Sequence, residues 1–135
     1  MTGLEALHDA IQHYEGWHPG SRSNRNRNPG NLRDSAHVAH GMDAGGYCVF
    51  NSIVDGSSAL LGDLYAKVTG HSEHKLTPHS TLNDLFNIYA PQADNNNPNA
   101  YAQAVAEWCT AVLGRTITTQ TTLGDLCPET LREAT

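Results

Sequence analysis

The chain has 135 residues, a net charge of −6, 39% hydrophobic residues and 16% charged ones. That length supports one domain, residues 1–135, around one sizeable core. No apolar run approaches the roughly 18 residues of a membrane span. The acidic start, Met1 to Asp9, has no basic region of a secretory signal, so a substrate outside the cytoplasm would require another delivery route.

In chain order, Thr2 and Glu5 match a capping box, and Leu4, Leu7, Ile11 and Tyr14 recur at helical spacing. They predict a first helix over 3–15. Residues 16–46 hold little periodicity and much Gly, Asn, Ser and His, which predicts a long loop of functional kind. Within it, Asn31 to Arg33 is expected to form a short strand, with Tyr47 to Phe50 as its companion in a small β element. A second helix is predicted over 53–68, burying Ala59, Leu60, Leu61, Leu64, Tyr65 and Val68 and stopping at Gly70. A third begins at Thr81, buries Leu82, Leu85, Phe86 and Tyr89, and ends at Ala90-Pro91. After a turn at 95–97, Asn97 caps a fourth helix with Pro98 in its first turn; Tyr101, Val105, Trp108 and Val112 mark its stripe and Gly114 its end. The tail is Thr-rich, then weakly helical from Pro128. The sum is a mainly α chain (α+β) with several helices and one small sheet.

The chemistry concentrates at the first helix end. Glu15 closes an apolar helix face, Gly16 breaks the helix, and Trp17 stands beside the acid. A carboxyl at an apolar edge resists ionisation, because desolvation disfavours its charged form. It can then donate a proton to a leaving oxygen near neutral pH. A solvated glutamate at a fraying helix end is the plain alternative. The loop that follows, Ser21 to Arg33, is rich in Asn and Arg and holds four of the eight Lys and Arg residues: Arg22, Arg25, Arg27 and Arg33. A basic loop on an acidic chain attracts polyanions. The loop lacks the interleaved aromatic side chains of a single-strand platform, and the acidic whole argues against a duplex binder, so nucleic acid is not the expected partner.

Cys48, Cys109 and Cys127 are odd in number and widely spaced, with no CxxC pair, so they read as thiols. His37 and His40, then His71, His74 and His79, cluster in polar segments without the Cys or paired acids of a metal centre. No metal and no cofactor is expected.

The ordered set Glu15-Gly-Trp17, then Arg-Asn-Arg-Asn28-Pro-Gly-Asn31-Leu-Arg33, then Gly46-Tyr47-Cys-Val-Phe50 through Asp55-Gly56 to Leu60, resembles lysozyme-like peptidoglycan glycosidases. It is most similar to the small muramidase or lytic-transglycosylase-like domains of phages and prophages. Ile88-Tyr89-Ala90-Pro91, Asn96-Asn97-Pro98 and Tyr101 follow in the family's order, and the resemblance spans about residues 4–114, leaving 115–135 as a C-terminal extension. It implies a lysozyme-like fold in which Glu15 is the catalytic acid. Trp17, Asn28, Asn31, Arg33, Tyr47, Phe50, Tyr89 and Tyr101 would contact the saccharide, as aromatic faces and neutral hydrogen-bonding groups suit sugar rings. Two features depart from the family pattern: Arg25 and Arg27 interrupt a run that is often plain Asn, and 34–44 is His-rich.

The expected activity is cleavage of the MurNAc–GlcNAc strand of peptidoglycan, by a protein that a virion, a lysis system or a secretion system carries to the wall. Glycoside hydrolysis ordinarily uses two carboxylates. Asp34, Asp43, Asp55 and Asp94 are the available second acids, with Asp55 in a position typical of a helix cap. A lytic transglycosylase needs only one acid and is the favoured form, ahead of a water-using muramidase. A catalytically silent saccharide-binding module and a virion structural protein are the competing classes.

Overall fold

A computed structural model describes residues 1–33, 39–89 and 97–134 of the chain. The described residues are mainly helical, with seven helices and two short strands. Their contacts divide into two compact units: Met1–Leu7 with Leu64–Thr135, and His8–Asp63.

Helix α1 spans Gly3–Tyr14. Its start is the predicted capping box: Glu5 N–H donates to Thr2 Oγ1 at 3.1 Å, and Thr2 N–H to Glu5 Oε1 at 2.8 Å. Its end is a Schellman turn. Gly16 has φ +77°, its N–H reaches the His13 carbonyl at 3.1 Å, and Trp17 N–H reaches the Gln12 carbonyl at 3.3 Å.

In the unit His8–Asp63, the predicted loop contains a helical turn that the sequence reading missed, α2 (Arg22–Arg25), capped by Ser21. The strand expected at Asn31 to Arg33 is absent: Asn31 takes φ +48°, which interrupts an extended run. The small sheet instead pairs β1 (Gly41–Met42) with β2 (Cys48–Val49), antiparallel, with Gly41 opposite Val49 and Met42 opposite Cys48. Leu32 meets β2 through one bond, its carbonyl accepting from Cys48 N–H at 2.9 Å. Helix α3 (Ile53–Thr69) then begins. A Cβ at position 56 would run into the Arg27 carbonyl, so Gly56 lets the helix start lie directly on the loop backbone. Among the described residues of this unit, Ala10, Ile11, Leu32, Cys48, Phe50 and Leu60 are buried.

In the other unit, Leu64, Val68, Leu82, Leu85, Phe86, Val105, Cys109, Leu123 and Leu126 are buried. The later part of α3 carries Leu64 and Val68 inward, but Tyr65 is exposed, contrary to the predicted stripe, and Gly70 follows the helix with φ +83°. Helix α4 (Leu82–Tyr89) opens on a second capping box, Thr81 with Asp84. The residues expected to end it, Ala90 and Pro91, lie outside the described set. Helix α5 (Pro98–Leu113) starts at the predicted cap, Asn97 Oδ1 accepting from Ala100 N–H at 3.1 Å, and stops at Gly114 with φ +69°. Its buried face is Ala102, Val105, Ala106 and Cys109, so the stripe is rotated from the predicted one and Val112 is exposed. The small residues on that face let α4 approach. Two short helices, α6 (Leu123–Leu126) and α7 (Pro128–Ala134), complete the chain. Among the described residues, no helix is long and apolar enough to cross a membrane.

Candidate active site

Glu15 follows the last residue of α1, half-buried, with its N–H bonded to the Ile11 carbonyl at 2.8 Å. The Schellman turn therefore fixes the backbone on both sides of the acid. From the loop, Asn31 Nδ2 donates to the Glu15 carbonyl at 3.4 Å. Its Oδ1 is buried with no hydrogen-bond partner among the described residues. A buried acceptor left unmatched has lost water without replacement, so Asn31 carries an unused acceptor beside the acid.

Asn28 is the loop's internal anchor. Its side chain is 0% exposed. Oδ1 accepts from Leu32 N–H at 2.9 Å, and Nδ2 donates to the carbonyls of Leu32 and Cys48, each at 3.0 Å. Both amide protons are spent on backbone, which corrects the expectation that Asn28 touches sugar: it shapes the loop. Phe50, 1% exposed, is corrected in the same way; it is a core residue whose N–H donates to the Asn26 carbonyl at 2.8 Å.

Tyr47, half-buried, gathers charge. Arg22 and Arg33 lie over its ring, with their guanidinium carbons 4.4 and 4.1 Å from the centroid, and Arg33 Nη2 donates to Tyr47 Oη at 2.6 Å. Such cation–π contacts orient a guanidinium without neutralising it. Asp43 closes the same turn. Its Oδ1 accepts from Gly45 and Tyr47 N–H, both at 2.9 Å, and its Oδ2 accepts from Asn26 Nδ2 at 2.9 Å. The Asn26 bond first, then the Tyr47 N–H, with smaller help from Gly45 and the Arg22 charge, hold its carboxyl below the ordinary aspartate range. Asp43 is thus occupied as a turn acid. Asp55 lies in the first turn of α3, where Ser52 Oγ accepts from its N–H at 3.1 Å, so Ser52, not Asp55, supplies the cap. Asp34 and Asp94 lie outside the described residues, as does His37.

Trp17 is half-buried directly after the Gly16 turn. Of the remaining expected contacts, Tyr89 and Tyr101 belong to the other unit. There they flank Phe86: Tyr101 stacks on it at 4.6 Å, Tyr89 meets it edge-on at 6.0 Å, and Lys67 Nζ sits 5.1 Å from the Tyr89 centroid. Sequence reasoning singled out neither Arg22 nor Asn26 as site residues. Arg22 was visible only as part of a basic run, and Asn26 only as one asparagine among several.

The three cysteines are buried thiols. Burial pushes Cys109 and Cys127 up to about 12. No group of three His, Cys, Asp or Glu able to hold a metal ion occurs among the described residues. Comparison of the chain with protein-family models, with curated proteins and with solved structures finds no match.

Proposed function

We propose that the chain is a peptidoglycan-cleaving glycosidase of lysozyme-like fold, with Glu15 as its acid. The observation that carries this reading is the joint between the acid and the loop. Glu15 sits on a fixed helix end, and Asn31, with its unused buried acceptor, is bonded to it. Glu15 would protonate the glycosidic oxygen as the bond from C1 to that oxygen breaks. Asn31, Tyr47 and Trp17 would steady the sugar through neutral and aromatic contacts.

The single-acid form is the better fit. Asp43 spends both carboxylate oxygens on its turn, and Asp55 stands exposed in the first turn of α3, where an acid suits the helix dipole. In a lytic transglycosylase the Glu15 carboxylate takes the proton of the muramic acid C6 hydroxyl, whose oxygen closes a 1,6-anhydro ring on C1. No water enters, and the acid ends protonated as it began. The substrate lies in the wall, reached by way of a virion, a lysis system or a secretion system. Digestion of purified peptidoglycan followed by mass spectrometry tests the reading. Anhydro ends, one water lighter than hydrated ones, are expected, with fragment release falling about 10²–10⁴-fold in a folded Glu15→Gln variant. Hydrated ends would make it a muramidase. Binding without release would make it a saccharide-binding module, and lysis that survives Glu15→Gln would remove Glu15 from the mechanism.

A further inference from the structure

Asn31 is held from several sides. Its own N–H donates to the Asn28 carbonyl at 3.1 Å, and its Nδ2 donates to the Glu15 carbonyl at 3.4 Å. The next residue, Leu32, is bonded to Asn28 Oδ1 and to the Cys48 N–H. The φ of +48° lies in the left-handed region, which asparagine tolerates better than most side chains do. These contacts decide which way the carboxamide faces. Turned over, it would set Oδ1 against the Glu15 carbonyl, oxygen to oxygen. Oδ1 is therefore the end that meets no donor among the described residues, and it is buried. An acceptor in this state is stabilised by a ligand that brings a donor to it. Asn31 as a whole is half-buried, so the residue reaches the surface, and side-chain adjustment on binding is ordinary.

We propose that Asn31 Oδ1 accepts the amide N–H of the 2-acetamido group on the sugar whose C1–oxygen bond Glu15 acts on. This rests on the glycosidase reading. The chemistry of the donor selects the group. A hydroxyl also donates, but it brings lone pairs that would be shut into the same dry place. An ammonium brings a charge, whose desolvation is costly. An amide N–H is neutral and donates only. In the glycan strand it stands on C2, one bond from C1, and Asn31 is bonded to the backbone of the residue whose carboxyl serves C1. Neighbouring atoms of the substrate thus meet neighbouring groups of the protein. The contact makes the site a reader of N-acylation: a strand whose C2 amines have been freed presents a charge where the site takes a neutral donor.

The test uses the full chain carrying Glu15→Gln, so that the glycan stays intact. Its affinity is measured for solubilised N-acetylated glycan strands and for the same strands after chemical N-deacetylation. Salt of about 0.5 M screens the general attraction of a −6 chain for cationic strands. The acetylated strands are expected to bind about tenfold tighter. Adding Asn31→Ala is expected to weaken their binding about tenfold and to change binding of the deacetylated strands less than twofold, so that the preference collapses. Adding Asn31→Asp, which keeps an acceptor oxygen and brings a charge, is expected to turn the preference towards the freed amines. Melting temperatures report whether each variant folds. A preference that survives Asn31→Ala, or a folded Asn31→Asp variant that does not turn towards the amines, overturns the contact. The glycosidase reading is judged separately, by fragment release from wild-type digests. Release without an Asn31-dependent preference would keep the glycosidase and remove the contact. The preference without release would leave a site for N-acylated sugars standing on its own.

Discussion

Replacing Asn28 by Ala should be among the most damaging single changes in the unit His8–Asp63, although it removes no charge and touches no catalytic atom. The substitution deletes three hydrogen bonds of 2.9–3.0 Å from a side chain that is fully buried. The Leu32 carbonyl keeps a second donor, Cys48 N–H. The Leu32 N–H does not: it is left buried and unpaired, which costs about 1–3 kcal/mol. The two lost amide donations add about 1 kcal/mol each. The total is about 3–5 kcal/mol, a large part of the stability of a domain of this size. At about 3–5 °C per kcal/mol for this length, melting should fall by about 10–25 °C. Circular dichroism melts and urea titrations of wild type and variant measure it directly. Asn28→Asp supplies an internal control, because it keeps the acceptor for Leu32 N–H but faces two carbonyls with an oxygen. The new carboxyl would hold its proton more tightly when folded than when unfolded, so the variant should recover stability relative to wild type as pH falls, and lose it as pH rises. A loss under 1 kcal/mol for Asn28→Ala, or an Asn28→Asp variant as stable as wild type at neutral pH, would refute the assignment of Asn28 as the loop's anchor.

Asn31→Ala, by contrast, should leave the melt within a few degrees of wild type, since its one bond, to the Glu15 carbonyl, is long at 3.4 Å, while wall lysis falls at least tenfold; a drop in melting with unchanged lysis would make it structural. The Asp43 carboxyl is held low by its hydrogen bonds, so its contribution is present above the ordinary aspartate range and lost as pH falls through the lowered folded value. Melts from about pH 6 down to pH 3 should therefore show the advantage of wild type over Asp43→Asn shrinking on acidification; a gap that is constant or widens would contradict this. Cys109 and Cys127, buried and raised to about 12, should resist iodoacetamide at pH 8 in the native protein and react on unfolding, and rapid native labelling would show the thiols to be accessible.

The helices were legible because their signals are local. Thr2 with Glu5, Thr81 with Asp84, Asn97 before Pro98, and Gly16, Gly70 and Gly114 after apolar runs each mark a helix end by short-range chemistry. Which face α5 buries was not legible. Tyr101, Trp108 and Val112 are the larger apolar residues, yet close packing selected the smaller ones, Ala102, Ala106 and Cys109. The loop was misread where one residue overrode the pattern: Asn31 in the left-handed region removes the strand that Leu32 and its neighbours suggested, and β1 at Gly41–Met42 has no β-branched residue to announce it. In the candidate site, Glu15 and Asn31 were visible as residue types in sequence order. The burial of Asn28 and the convergence of Arg22 on Tyr47 depend on contacts across 20 and 25 positions, which no window of sequence contains.

The Asn28 side chain does the work of a missing strand. Its carboxamide presents a donor and an acceptor to backbone as a peptide group would, and so extends the two-stranded sheet by one rung without any extended chain. Because that rung comes from a single side chain, its neighbours are released from pairing, and positions 25 and 27 can hold arginine without disturbing the ladder. The same economy ties the loop's motion to the sheet's. The Leu32 amide can open to solvent only when its bond to position 28 breaks, so its hydrogen exchange and that of the Cys48 amide belong to one cooperative opening. The segment is tied to β2 at Asn28 and Leu32, and from that tie it carries Asn31 to the end of α1.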